Sequence, residues 1–142
     1  MASTMTDDER RAFLLAGTRT GILCTVRADG RPHAAPVWFT LDGDDVLFTT
    51  GEDTVKGRNL RRDDRAVLAV DESTPPYDFV AIEGRVELSS DLDEMLRWAT
   101  VLGERYMGPG QGEAFGRRNA VPTELLVRLR PDKIIARAGI AD

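Results

Sequence analysis

Residues 46–65 read VLFTTGEDTVKGRNLRRDDR, and this stretch decides how the rest of the chain is interpreted. Its first five residues are mostly β-branched or aromatic and place alternate side chains on one face, which is typical of a half-buried strand. Gly51 ends that strand, and Asp53 or Thr54 can then cap a short helix that ends near Arg61. Because a helix start presents unpaired backbone N–H groups, the stretch predicts an anion-binding corner.

The second half of this stretch is strongly basic in an acidic protein. Residues 56–65 hold five basic and two acidic residues, whereas the whole chain has a net charge of -5. The basic residues are Lys56, Arg58, Arg61, Arg62 and Arg65. Arginines in a last helical turn also stabilise the helix dipole, and that alternative stays open. Lys56 lies at the start of the helix, where a bound anion explains a lysine better than the dipole does.

Composition limits the possible classes of protein. A chain of 142 residues that is 42% hydrophobic predicts a single domain over residues 1–142, in which we expect residues 1–5 to be disordered. An isoelectric point near 5.0 argues against nucleic-acid binding. The chain has no long apolar run or signal peptide, so we expect a cytoplasmic protein that does not bind membranes. One cysteine and one histidine cannot form a zinc site of the usual kind, so no metal is expected.

The rest of the chain predicts short strands and two further helices. Thr6 and Glu9 have the spacing of a capping box, which predicts a helix over residues 7–15. Ala28-Asp29-Gly30 predicts a tight turn between strands over 20–27 and 31–41, and Pro36 interrupts the second of these. The other predicted elements are strands over 66–70, 77–88, 123–129 and 133–137, a helix that Ser89 or Ser90 caps and that ends near Tyr106, and a long loop over 107–122. Together they predict a mostly β fold, a small antiparallel β-barrel with peripheral helices.

Four motifs in this framework resemble a known family. They are GILCTVRADGRPH at 21–33, KGRNLRRDDR at 56–65, AIEGRV at 81–86 and ERYMGP at 104–109. The chain resembles the split β-barrel family typified by pyridoxamine 5'-phosphate oxidase, and within it the actinobacterial branch that binds the deazaflavin coenzyme F420. The resemblance spans about residues 8–135. It implies an antiparallel, FMN-binding-like split barrel that forms a homodimer with its cofactor sites at the interface.

The resemblance also implies a set of cofactor-binding residues. These are Pro36, Val37 and Trp38 against the ring; Thr49 and Thr50 beside it; Lys56, Arg58 and Asn59 at the phosphate; and Tyr77 and Asp78 from the partner subunit. Pro36 departs from the family, since some relatives have a polar residue at this ring-edge position. Asp78 would place a carboxylate beside an anionic cofactor, which is unfavourable unless the carboxylate turns away or binds substrate.

The implied activity is a reductase that passes a hydride from reduced F420 to a small unsaturated or tetrapyrrole-like acceptor. In such chemistry the cofactor performs the difficult step and the protein orients the reactants. Tyr77 and His33 are the candidate proton donors. Two alternatives remain open from the residues: an FMN-dependent oxidase or reductase of the same fold, and a non-catalytic carrier of a deazaflavin, flavin or haem.

Overall fold

The computed structural model describes residues 1–142 and contains eight strands and four helices. The strands are β1 (Ser3–Thr4), β2 (Gly21–Val26), β3 (Pro32–Val37), β4 (Thr40–Asp42), β5 (Asp45–Gly51), β6 (Arg65–Asp71), β7 (Phe79–Ser89) and β8 (Glu124–Ala138). The helices are α1 (Asp7–Leu15), α2 (Val55–Arg62), α3 (Leu92–Tyr106) and α4 (Gly112–Asn119). No helix is both long enough and apolar enough to cross a membrane.

All strands pair antiparallel in one sheet with the order β3-β2-β6-β7-β8-β5-β4, and β1 pairs with β8. The two strands at the ends of this order, β3 and β4, are consecutive in the chain and separated only by Trp38 and Phe39. The sheet therefore curls into a barrel that is split where the strand breaks. The predicted class, a mostly β, antiparallel split barrel with peripheral helices, is confirmed.

Hydrophobic residues from all the long strands fill the barrel. The fully buried side chains include Phe39, Phe48, Leu68, Ile82 and Leu129. A second, smaller cluster lies outside the barrel, where Leu47 and Leu126 pack against Met95 and Trp98 of α3. The predicted α1 is confirmed, since Thr6 and Glu9 form both hydrogen bonds of a capping box, at 2.9 and 3.1 Å.

The two strands predicted over 123–129 and 133–137 are one continuous strand, β8. Its pairing with β7 shifts register between Glu83 and Gly84, so the chain bends there without breaking. A Cβ on Gly84 would lie 2.0 Å from the Arg130 carbonyl oxygen, which shows why only glycine fits at the bend. Pro131 therefore marks this bulge rather than a strand end.

Two further segments are more ordered than the sequence predicts. Residues 1–5 are not disordered, because Ser3 and Thr4 pair with β8 and Met5 packs into the core with 8% exposure. Residues 107–122 are not a continuous loop, because Gly112–Asn119 forms α4. In both cases tertiary contacts that no local pattern reveals stabilise the segment.

Candidate functional site

A cavity of about 230 Å³ opens at the split of the barrel. Its walls come from the break between β3 and β4, from β5, from the start of α2, and from α3, α4 and the start of β8. The lining residues are Pro36, Val37, Trp38, Thr49, Lys56, Leu102, Phe115, Asn119 and Glu124. Five of the ten predicted cofactor-binding residues thus meet in one place. A larger cavity of about 380 Å³ over β2, β6 and β7 contains none of them.

The corner between β5 and α2 is built by local hydrogen bonds. Thr54 caps α2 by accepting the Gly57 N–H at 3.1 Å, and its hydroxyl also donates to the Gly51 carbonyl at 2.8 Å. The buried Thr50 hydroxyl lies 3.0 Å from the Thr54 hydroxyl. A Cβ on Gly57 would lie 2.3 Å from the Gly51 carbonyl oxygen. The glycine inside this helix is therefore required by the close approach of its own chain's backbone.

An aromatic stack forms the second wall. The rings of Trp38 and Tyr106 are stacked with centroids 4.9 Å apart and planes 6° apart, and Phe115 leans against Trp38 at 5.4 Å and 34°. The Tyr106 hydroxyl accepts the Phe39 N–H at 3.1 Å and lies 2.8 Å from the Arg19 carbonyl oxygen, to which it donates. Burial raises the pKa of Tyr106, so this hydroxyl stays protonated at neutral pH. The break in the strand is thereby held rigid next to Trp38.

Helix α4 completes the wall by close packing on α3. A Cβ on Gly116 would lie 2.3 Å from the Thr100 hydroxyl oxygen, and a Cβ on Gly112 would lie 2.5 Å from the Thr100 carbonyl oxygen. Glu104 of α3 accepts the N–H groups of Gly110 and Gly112 at 2.7 and 3.0 Å. These two bonds lower the pKa of Glu104. The first N–H group of α4, that of Gly112, is thus capped by the neighbouring helix rather than by the helix's own sequence.

Lys56 and Glu124 are the only charged residues that line the cavity. Burial raises the pKa of Glu124, and the positive charge of Lys56 acts in the opposite direction. The two groups lie farther apart than the 4.0 Å that defines an ion pair. The cavity therefore offers one ammonium group that an anion can reach. A bound anion would favour the neutral form of the neighbouring Glu124 carboxyl over the charged form.

The predicted basic cluster does not converge on this cavity. Arg58 and Asn59 lie on the other side of α2, where they line a separate groove together with Arg27 and Arg62. Asn59 is 4% exposed and donates to the Thr25 hydroxyl at 3.0 Å. Arg65 pairs with Asp63 at 2.7 Å, and Arg61 pairs with Glu52 at 3.8 Å.

The remaining predicted residues lie outside the cavity. Asp78 accepts the Gly139 N–H at 2.8 Å. Tyr77 is 46% exposed and has a φ of 63°, a left-handed conformation that is costly for a side chain of this size. His33 lies on β3 opposite Thr25, and its Nδ1 is buried without a hydrogen-bond partner. Their assignment to the site, Tyr77 and Asp78 from a partner subunit, stays a prediction.

Sequence reasoning missed four lining residues: Leu102, Phe115, Asn119 and Glu124. Leu102 lies on the apolar face of α3, and its helical spacing predicted only a packing role. Phe115 and Asn119 fell in the segment interpreted as a loop. Glu124 is the first residue of β8, next to Gly51, and a lone carboxylate at a strand start gives no local signal.

Comparison with known proteins places this geometry in a family. The chain matches the pyridoxamine 5'-phosphate oxidase family over residues 6–137. A curated relative, 28% identical over 143 residues that cover 99% of this chain and 94% of its own, is a biliverdin reductase of Mycobacterium tuberculosis that depends on reduced coenzyme F420. Among solved structures, a conserved hypothetical protein from Mycobacterium tuberculosis is 25% identical with a TM-score of 0.81, covering 92% of this chain and 82% of its own. An F420 reductase is 27% identical with a TM-score of 0.69, covering 87% of this chain and 94% of its own. The chain belongs to the pyridoxamine 5'-phosphate oxidase family.

Proposed function

We propose that this protein is a reductase that binds reduced coenzyme F420 at the split of the barrel and transfers a hydride to a small unsaturated or tetrapyrrole-like acceptor. The observation that carries the proposal is the meeting of Lys56 with Trp38 and Thr49 in one cavity. A charged donor beside an aromatic face suits a cofactor with an anionic tail and a flat ring. The relatives that act with F420 support the choice of cofactor.

The lining residues and the volume of the cavity can be compared with the charge and size of such a cofactor. Lys56 fits a single anionic group, and Pro36, Val37 and Trp38 fit an apolar ring face. The volume of about 230 Å³ is below the range of roughly 300–1,000 Å³ for sites that enclose ligands of drug size. One chain therefore does not enclose a tricyclic ring. This supports a homodimer whose partner subunit completes the site with Tyr77 and Asp78.

When bound, reduced F420 supplies the hydride, and the chain's residues hold the reactants and the proton. Lys56 binds the anionic group, Pro36 to Trp38 keep one ring face dry, and the stack of Trp38 on Tyr106 fixes the orientation of that wall. Reduction of an unsaturated acceptor also needs one proton. Tyr77 of the partner subunit and His33 remain the proposed donors.

A cofactor titration with matched lysine variants tests this assignment. The chain has two lysines, and Lys133 lines the larger cavity on another face of the barrel. Lys56→Ala should weaken F420 binding by about 1.5–3 kcal/mol, the range for a hydrogen bond to a charged group. Lys133→Ala should leave the affinity unchanged. Equal affinities for both variants and the wild type would remove Lys56 from the site.

The absorbance and oligomeric state of the purified protein separate the alternatives. Yellow protein with a flavin spectrum would favour FMN, and F420 binding without turnover of acceptors such as biliverdin would favour a carrier. Light scattering should show a dimer at micromolar concentration. A monomer that binds F420 with full affinity would contradict a site shared between subunits.

A further inference from the structure

Glu124 is the only carboxyl that lines the cavity at the split of the barrel. It begins β8 and pairs with Gly51 at the end of β5, and its Oε2 lies 3.4 Å from the place where a Cβ on Gly51 would be. The carboxyl therefore stands at the corner that leads into α2. On the basis of the reductase function proposed above, we propose that Glu124 is the catalytic acid of the reaction, and that its carboxyl gives the acceptor the proton that accompanies the hydride.

The Glu124 carboxyl is free to face a ligand. Apart from Glu83, every other glutamate side chain of the protein has a hydrogen-bond or ion-pair partner, as in Glu87 with Arg130 at 2.6 Å. Glu124 has none within the 3.5 Å and 4.0 Å that define these contacts. Glu83 is exposed on β7 and lines the larger cavity on another face of the barrel. Glu124 is thus the one partly buried glutamate whose two oxygens are both available.

The surroundings of Glu124 favour its protonated form in the loaded site. Strand β5 and helices α3 and α4 present only uncharged side chains to the cavity, and Lys56 of α2 is the one charged group that faces Glu124 there. Burial raises the pKa of Glu124, and Lys56 acts against this rise. An anion bound to Lys56 offsets the ammonium charge, so cofactor binding should raise the pKa of Glu124 further. The acid is then protonated when the acceptor arrives.

Reduction of a C=C or C=N bond places a hydride on one atom and a proton on the other. Bound reduced F420 supplies the hydride with its two electrons. The π electrons of the acceptor move to the second atom, which bonds to the proton as the O–H bond of Glu124 breaks. Glu124 is left as a carboxylate and regains a proton from solvent, so the acceptor gains two hydrogens in total.

The two donors expected from the sequence do not line this cavity. Tyr77 is 46% exposed and lies elsewhere in the same chain, so it reaches the cavity only from a partner subunit. His33 also lies outside the cavity, and its Nδ1 is buried without a partner. Glu124 is the acid that the chain itself brings to the site.

Proton uptake on cofactor binding tests this role without turnover. Calorimetric titration with oxidised F420 at pH 7, in buffers of different ionisation enthalpy, gives the number of protons taken up. The wild type should take up more protons than Glu124→Gln, because the bound anion raises the pKa of Glu124. Glu124→Gln should bind F420 at least as tightly, since it removes a carboxylate beside an anion. Glu83→Gln is the matched control and should behave as the wild type.

The pH profile of biliverdin reduction is the second readout. The wild-type rate should fall as pH rises through the pKa of Glu124 in the loaded enzyme, because a general acid acts only when protonated. At pH 6, Glu124→Gln should be slower by at least roughly 100-fold, the low end for general acid catalysis, and should lack this pH dependence. Glu124→Asp should recover part of the rate and restore the pH dependence, and Glu83→Gln should keep both.

The outcomes separate the role of Glu124 from the reductase function. If the wild type binds F420 and reduces biliverdin, but Glu124→Gln keeps the wild-type proton uptake and pH profile, the role of Glu124 is overturned and the reductase function stands. Loss of the pH dependence in Tyr77→Phe or His33→Gln, with Glu124→Gln unaffected, also overturns it. A wild type that does not bind F420, or binds it without reducing biliverdin, overturns both.

Discussion

The two walls of the cavity at the split of the barrel are built by different means. The corner between β5 and α2 is local: Thr54, Gly57 and Gly51 lie within seven residues and bond to one another. The wall of α3 and α4 is tertiary: Gly112 and Gly116 pack on Thr100, and Glu104 caps a helix other than its own.

This difference teaches what a glycine means in each setting. Gly57 lies inside a helix and Gly116 in a segment with the composition of a loop, yet both have another backbone or side chain within 2.3 Å of the place where a Cβ would be. In both walls glycine permits close approach, and in neither does it provide flexibility. The comparison therefore predicts that a methyl group added at either glycine destabilises the fold.

The largest effect is expected at Gly57. In an ordinary helix interior, glycine to alanine stabilises by about 0.5–1 kcal/mol. Gly57→Ala should instead destabilise by about 3 kcal/mol, because the new methyl meets the rigid Gly51 carbonyl. Gly116→Ala should cost about 1–2 kcal/mol, because the Thr100 side chain can yield in part.

Urea unfolding of both variants measures these changes in the free energy of unfolding. Ala114→Val, an enlargement on the exposed side of α4, is the control and should stay within about 0.5 kcal/mol of the wild type. A stabilising Gly57→Ala would mean that the first turn of α2 does not approach Gly51 as closely as the structure shows.

A second, smaller contrast concerns how the two helices begin. Thr54 caps α2 through its side chain, whereas Gln111 at the start of α4 makes no such bond. Thr54→Ala should therefore destabilise by about 1 kcal/mol. Gln111→Ala should have almost no effect, since Glu104 already accepts the N–H groups of Gly110 and Gly112.

Thermal unfolding of the two alanine variants, at one pH and salt concentration, makes this comparison. Equal losses would contradict the view that α2 is capped locally and α4 by its neighbour. The charge of Glu104 provides a further check, because Glu104→Gln should lower the melting temperature more than Gln111→Ala does.

The same contrast explains how much could be predicted from the sequence. Capping boxes, alternating strands and the Asp29-Gly30 turn are local patterns, so α1, β2, β5 and α2 were predicted close to their observed bounds. The strand predicted over 31–41 was wrong in its second half, because β3 ends at Val37 and β4 begins at Thr40. Helix α4 could not be predicted because its stability depends on α3, and its two glycines lower its intrinsic helix propensity.

The candidate site also divides into a part that local patterns predict and a part that depends on tertiary structure. Five predicted residues meet in the cavity because the interrupted strand and the basic turn are both local signals. The family resemblance grouped Lys56 with Arg58 and Asn59, but a helix of 3.6 residues per turn sends neighbouring side chains to different faces. The helical period places Lys56 in the cavity, and Arg58 and Asn59 in the separate groove on the other side of α2.

The smallest predicted effect concerns the charge of Glu124, the one carboxyl that lines the cavity. Burial raises the pKa of Glu124, while Lys56 of the corner acts against this rise. With a pKa raised in the folded state, the folded protein holds the proton more tightly than the unfolded chain does. Ionisation of Glu124 therefore reduces stability as pH rises from the unfolded pKa through the folded one.

Glu124→Gln removes this titration and should be more stable than the wild type at pH 7. The gain should fall below about 1 kcal/mol because the carboxyl is partly exposed and solvent screens it. It should shrink as pH falls below the ordinary pKa of a glutamate, where the wild-type side chain is also neutral. A gain that is the same at pH 4 and pH 8 would mean that the burial of this carboxyl has no energetic consequence.

Lys56→Met provides the converse check, since loss of the ammonium group should raise the pKa of Glu124 further in an NMR titration.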